Sequence, residues 1–313
     1  MNNMKLLIFA LSICLMLSNS AWAQEVEVGP PQVYRYADKI SRMLNAIAEE
    51  MGDEVSNGNM IAVSAVSPRE VYFQAASLYG KTSRLMFEFT SEEGERIIEL
   101  KPDAKPADAM ALLLGTERHL LSVAKRLNMA EQHELQALDP GKQPKDVFAL
   151  IVNLNRKTNN LLDFKFSPAE SHQKITEAIA FASVILQTYP DAQVIFYPQK
   201  FARKKTAADV YQRIVSMYER MVPIMDAMNK SCLVLGEEEK TRGDIVPSDV
   251  YDLAVLVTSQ LRYLHSLIPN APAAKESYYP GKVIPSDVYQ RLSILEQQIN
   301  ELLRVNHISL ALI

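Results

Sequence analysis

Apolar residues return along this chain with a helical rhythm, three and four positions apart, while polar residues fill the remaining faces. Near the C-terminus Val288, Leu292, Leu295, Ile299, Leu302 and Leu303 fall on one stripe. Val250, Ala254, Val257, Leu261 and Leu264 repeat its offsets, as do Val147, Ile151, Leu154, Leu161 and Leu162. Such a rhythm, with Lys, Arg, Asn and Gln opposite, predicts amphipathic helices. At roughly 20 residues each they are about 30 Å long, since an α-helix rises about 1.5 Å per residue. A one-sided helix cannot bury its stripe alone, so its neighbours must cover it.

A short phrase precedes the stripes. Pro285-Ser286-Asp287-Val288-Tyr289 copies Pro247-Ser248-Asp249-Val250-Tyr251, and Ala207-Ala208-Asp209-Val210-Tyr211 is a version without the proline. Pro144-Lys145-Asp146-Val147-Phe148, Pro106-Ala107-Asp108-Ala109-Met110, Pro68-Arg69-Glu70-Val71-Tyr72 and Pro30-Pro31-Gln32-Val33-Tyr34 are earlier relatives, spaced by 38 residues. A degenerate copy opens at Pro168-Ala169-Glu170, only 24 residues after Pro144, and the later intervals are 39, 40 and 38. The phrase reads as a helix start: proline fits the first turn, where its missing N–H costs nothing, and an acid there faces the positive helix end. Ser67 and Ser167 stand where an N-cap belongs. The expectation is an all-α fold of eight amphipathic helices in repeats of about 38 residues, arranged as two four-helix halves, residues 24–166 and 167–313, in a repeat array or as paired bundles.

Between the helices lie Pro-, Gly- and Lys-rich connections, such as Leu138-Asp139-Pro140-Gly141-Lys142 and Tyr278-Tyr279-Pro280-Gly281-Lys282. At about 3.3 Å per residue an extended connection can run back along a whole helix, so successive helices can lie parallel. The alternative is a short second helix within each connection, for example over Met129 to Leu138. By contrast Asp163 to Phe166 is too short to return, which predicts an antiparallel hairpin of the fourth and fifth helices at the centre of the molecule. Pro223 should kink or end the sixth helix near Val222. Gly80 and Gly115 interrupt the second and third helices, with close helix packing as the expected reason. The period exceeds that of tetratricopeptide arrays and their W-x2-L-G-x2-Y pattern is absent, so no family is assigned.

Composition changes the picture in one respect, the compartment. A basic stretch ending at Lys5, an apolar run from Leu6 to Leu17 and Ala21-Trp22-Ala23 have the layout of a secretory signal peptide, residues 1–23, cleaved near Ala23. A periplasmic or extracellular location follows. Lipidation at Cys14 is disfavoured by the bulky Ile13 before it. No later run is long and apolar enough for a membrane span. After cleavage 37 acids face 32 bases, a mild excess of five negative charges that argues against nucleic acid as a partner. Cys232 is then the lone cysteine, so no internal disulfide forms, and it reads as a small apolar filler.

Catalytic and metal-binding constellations are not recognisable. His119, His133, His172, His265 and His307 have no metal-ligand spacing, and the glycine-rich and nucleophile-elbow motifs are missing. No cofactor is expected. The repeated aromatics Tyr34, Tyr72, Phe148, Tyr211, Tyr251 and Tyr289 suggest a stacking groove but are better explained as packing between units, and the repeated acids as helix caps. The most distinctive surface candidates are Phe196, Tyr197, Lys200, Phe201 and Arg203 in the connection after the fifth helix, with Tyr278 and Tyr279 in the last one. The functional expectation is an exported, non-catalytic scaffold or binding module for another protein or a cell-envelope component. A periplasmic receptor for a small apolar or glycan ligand is the first alternative, and a glycan-acting enzyme with paired carboxylates the second.

Overall fold

The computed structural model describes residues 28–53, 61–95, 101, 103–129, 133–163 and 165–311, with side chains to Asn306. The signal peptide expected over residues 1–23 lies outside the described residues. The fold is all-α. Its helices are α1 (Pro30–Met51), α2 (Pro68–Thr90), α3 (Pro106–Arg126), α4 (Pro144–Leu161), α5 (Pro168–Leu186), α6 (Ala207–Glu219), α7 (Met221–Ala227), α8 (Pro247–Ser266) and α9 (Pro285–Ala311). Among the described residues no helix is long and apolar enough to cross a membrane.

Every long helix starts by the same local chemistry. The side chain at the third helical position accepts the backbone N–H of the residue before the helix: Gln32 from Gly29 at 3.1 Å, Glu70 from Ser67 at 2.9 Å, Asp108 from Lys105 at 2.8 Å and Asp146 from Gln143 at 2.9 Å. Glu170, Asp209, Asp249 and Asp287 do the same for Ser167, Thr206, Val246 and Ile284. This is the returning half of a capping box, and it fulfils a donor that the helix itself leaves open. The Ser67, Ser167 and Thr206 hydroxyls donate to the same acids, and those of Ser167 and Thr206 also accept a backbone N–H of the first turn.

Pro30, Pro68, Pro106 and Pro144 line one small cavity, so α1 to α4 begin at a common end and run parallel. Pro168, Ala207, Pro247 and Pro285 do likewise for α5, α6, α8 and α9. Within the first group α1 and α2 each pack on α3 and α4; within the second α5 and α6 each pack on α8 and α9. Parallel neighbours require connections that travel the length of a helix, and these do. The segment after α3 runs back beside α1, where Arg42 donates to the Glu134 carbonyl and Lys142 sits 4.3 Å over the Tyr34 ring. The segment after α5 runs back beside α9, held at Gln193–Glu301, Gln199–Ser293 and Lys205–Ser286. None of residues 133–143, 187–206 or 268–284 is helical, so the extended form, not a second helix, fills these connections.

The two groups meet antiparallel, α2 and α4 against α8. Gln260 of α8 donates to Glu70, and Asp252, eight residues earlier, pairs with Lys81, eleven residues later. A two-residue antiparallel ladder, β1 (Val63–Ser64) with β2 (Val234–Leu235), adds a second tie that the sequence did not suggest. Two expectations need correction. α4 and α5 do not pack along each other, because α8 occupies the space between the groups and Phe166 of the short link stacks 4.3 Å from Tyr251 of α8. The sixth helix does end close to Val222 as Pro223 demands, breaking between Glu219 and Met221, since the Pro223 ring is incompatible with a helical carbonyl four residues earlier. Finally, the polar faces of α4 and α8 are not all solvated: Asn155, Arg156, Lys157, Asp249, Asp252 and Gln260 are buried. The apolar stripes do form the core, from Val147 and Ile151 to Leu295 and Ile299.

Candidate functional site

The junction of the two groups leaves a cleft of about 730 Å³. One wall is the face of α2 that carries Phe73, Ala76, Ser77, Gly80 and Ser83, continued by Gly94 and Glu95; the other is Tyr251, Val255, Ser259 and Arg262 of α8, with Lys174 of α5. Both sets follow helical spacing, so each wall is one stripe of a rigid element. The small side chains of Ala76, Ser77, Gly80 and Ser83 leave the space between the walls unfilled. Gly80 is exposed and a Cβ there would meet nothing within 4 Å, which removes close packing as the reason for this mid-helix glycine. At Gly115 the packing reason holds, because a Cβ would overlap the Tyr79 ring.

Beneath the cleft lies a buried charge layer. The Lys81 ammonium donates to Asp252 at 2.7 Å and sits 5.1 Å from the Phe166 ring and 5.8 Å from the Tyr251 ring. Ser77 reaches the same Asp252 oxygen at 3.4 Å. Burial pushes the Lys81 amine down and the Asp252 carboxyl up, and their mutual attraction opposes both shifts. Arg156 pairs with Asp249 at 2.6 Å alongside. Lys81, Asp252, Arg156 and Asp249 are enclosed by α2, α4 and α8, so they tie these helices together and, unlike Ser77, do not face the cleft. On its α5 side the cleft carries accessible charge: Lys174 pairs with Glu177 at 2.9 Å and Arg262 holds the other oxygen of the same carboxylate. Although burial works against it, the two cations keep the Glu177 carboxyl below the usual range.

A second concavity of similar volume lies between α6 and α9. It is shallower, and Glu296 takes Arg213 at 2.6 Å and Arg220 at 3.0 Å, while Lys205 and Arg213 stack on Tyr289.

The surface candidates named from sequence do not line the cleft. Residues 191–197 alternate outward and inward as an extended segment must: Ala192, Val194 and Phe196 pack inward, while Ile195 and Tyr197 are 68% and 77% exposed. Lys200, Phe201 and Arg203 are exposed further along this segment, beside α9. Tyr278 and Tyr279, 82% and 59% exposed, belong to the connection that touches α5 through Ser277 and Gln173. Among the described residues no hydrogen bond or ring contact joins the two sets. Of the repeated aromatics, Tyr72, Phe148 and Tyr211 are buried in the core, which is the packing role. Tyr251 alone of the six reaches the cleft. Cys232 is buried against Tyr218, and burial pushes its thiol up to about 11. Among the described residues no group of His, Cys, Asp and Glu could hold a metal ion. No protein-family model, curated protein or solved structure matches this chain.

Proposed function

We propose that this chain is an exported binding protein that holds a small ligand in the cleft between α2, α5 and α8. The observation that carries the reading is the built character of that cleft. Its volume falls within the range of about 300–1,000 Å³ usual for small-molecule sites. Its walls combine rings (Phe73, Tyr79, Tyr251) with hydroxyls (Ser77, Ser83, Ser259) on rigid helices. A mid-helix glycine, which costs about 1 kcal/mol relative to alanine, opens the α2 backbone to the cavity with no packing to explain it. A glycan unit or a small molecule with a flat apolar face suits such walls. Export rests on the layout of residues 1–23 and places the binding event in the periplasm or outside the cell.

The test is a thermal-shift screen of the chain from Gln24 onward with monosaccharides and small aromatic and aliphatic compounds, repeated with Ala76→Trp, which fills the cleft. A ligand at a hundred times its Kd adds about 2.7 kcal/mol to folding stability. The expected result is a melting temperature raised by at least one compound in the parent and in none of the trials with the variant. Shifts identical in both proteins, or none at all, overturn the reading.

A second reading, a scaffold for another protein or an envelope component, is favoured by the outward Ile195, Tyr197, Tyr278 and Tyr279. Exposed aromatics on ordered segments are the kind of anchors that partner surfaces use. Crosslinking in the native host, with Tyr197→Ser and Tyr278→Ser as controls, distinguishes it.

A further inference from the structure

We infer that the ligand of the cleft carries a carboxylate, received by Arg262 and Lys174. The inference rests on the cleft being the ligand site and adds the ligand's charge. Its basis is an uneven count of charges on one wall. Lys174 and Arg262 both line the cavity, and both are held by the single carboxylate of Glu177. Two cations on one anion leave one positive charge uncompensated. The cluster is fixed in place, because Thr258 of α8 donates to the Lys174 carbonyl at 3.1 Å and the Arg262 guanidinium lies 5.2 Å over the Phe181 ring.

Arg262 commits Nη2 to Glu177, and among the described residues its other N–H groups meet no acceptor. A guanidinium presents five donors in a planar fork that matches a carboxylate, so a ligand carboxylate can take a second edge of it. The charges that face this point are few. Glu177 lies against the two cations, and Glu95 stands on the other wall beside Gly94. Asp252 faces Lys81 in the closed layer below and is already paired. A ligand body lying along Ser77, Gly80 and Tyr251 would therefore put an acidic group at Arg262 and meet no acid there other than Glu177.

The same geometry sets the effect of Glu177. It positions both cations and competes with an incoming carboxylate. Replacing it by glutamine keeps one acceptor oxygen for the two cations and removes the competing charge, so anion affinity should rise. A purely structural Glu177 would lower affinity for every ligand alike.

The probes are phenylacetate and its neutral isostere phenylacetamide, titrated into the isotope-labelled chain from Gln24 onward and followed by the amide signals of Ser77, Gly80 and Ser259. The inference expects phenylacetate to bind at least fivefold more tightly than phenylacetamide. The preference should vanish in Arg262→Gln, shrink in Lys174→Met, and grow severalfold in Glu177→Gln, with melting temperature confirming that each variant is folded. Equal binding of the two probes in the cleft overturns the carboxylate and leaves the ligand site standing. A preference that survives Arg262→Gln and Lys174→Met together also overturns it. If neither probe moves these signals while another compound does, the acidic ligand fails; if no compound does, the site itself fails with it.

Discussion

A single imidazole shows how position decides chemistry in this molecule. His119 is buried on α3, 4.6 Å from the Tyr79 ring, with the Thr82 hydroxyl 3.1 Å from Nδ1. Burial, helped by Arg118, pushes it from 6.5 to about 4. The folded protein therefore keeps it neutral where the unfolded chain would protonate it. Protons bind preferentially to the unfolded chain in that interval, so the contribution is complete above pH 6.5 and is lost as pH falls from 6.5 to about 4. The loss is at most about 3 kcal/mol, and His172, also lowered by burial, acts in the same direction. Urea unfolding at pH 7 and pH 4.5 should show a larger drop for the parent than for His119→Gln. Equal drops would mean that the ring is solvated and the packing around Tyr79 misread. Nothing in the sequence marked this histidine out, because its role depends on Tyr79 and Gly115, which lie on two different helices.

At the scale of one element, the helix start was the most legible feature, since everything it needs is local: a proline, an acid two positions on, and an N–H to receive. What the phrase could not reveal is that identical phrases serve different surroundings. Asp146 caps α4 at an exposed turn, where water can replace it for Gln143. Asp249 caps α8 by the same bond and also anchors Arg156 at 2.6 Å inside the interface. Asp146→Ala should cost about 1 kcal/mol, the usual price of a lost cap. Asp249→Ala also removes the carboxylate that Arg156 and Arg242 share inside the interface, which raises the expected cost to about 3–5 kcal/mol. Chemical denaturation of the two variants measures the difference, and equal costs would show that Asp249 is only a cap. The same difference between pattern and environment applies to the polar faces of α4 and α8, which an amphipathic rhythm alone would leave in water. A helical rhythm says which residues share a face, and it does not say that a polar face meets water.

For the whole molecule, the apolar stripes explain how each four-helix group closes, and the polar layer explains how the two groups meet. Stripes of interchangeable Leu, Ile and Val would allow α8 to slide along α2 and α4. The pairs Lys81–Asp252, Arg156–Asp249 and Glu70–Gln260 allow one register only. That register fixes which faces of α2 and α8 flank the cleft, so the shape of the cleft depends on charges it does not expose. Buried pairs of this kind add little net stability but are costly to break singly. Lys81→Met should lose about 3–5 kcal/mol, because Asp252 is left buried without its partner. In that variant Asp252 has its pKa raised by burial with the Lys81 charge gone and only the weaker pull of Arg156 opposing it, so the folded state binds the proton more tightly than the unfolded chain. Its stability deficit should therefore shrink as pH falls from 8 to 5, opposite in sign to the trend His119 imposes on the parent. Lys81→Met with Asp252→Leu removes both charges and should recover most of the loss at every pH, since two apolar groups satisfy each other. Such a protein would be stable yet free to shift its register, and it should bind cleft ligands more weakly than the parent at equal melting temperature. Full affinity in the stable double variant would show that the apolar stripes alone set how the two groups dock.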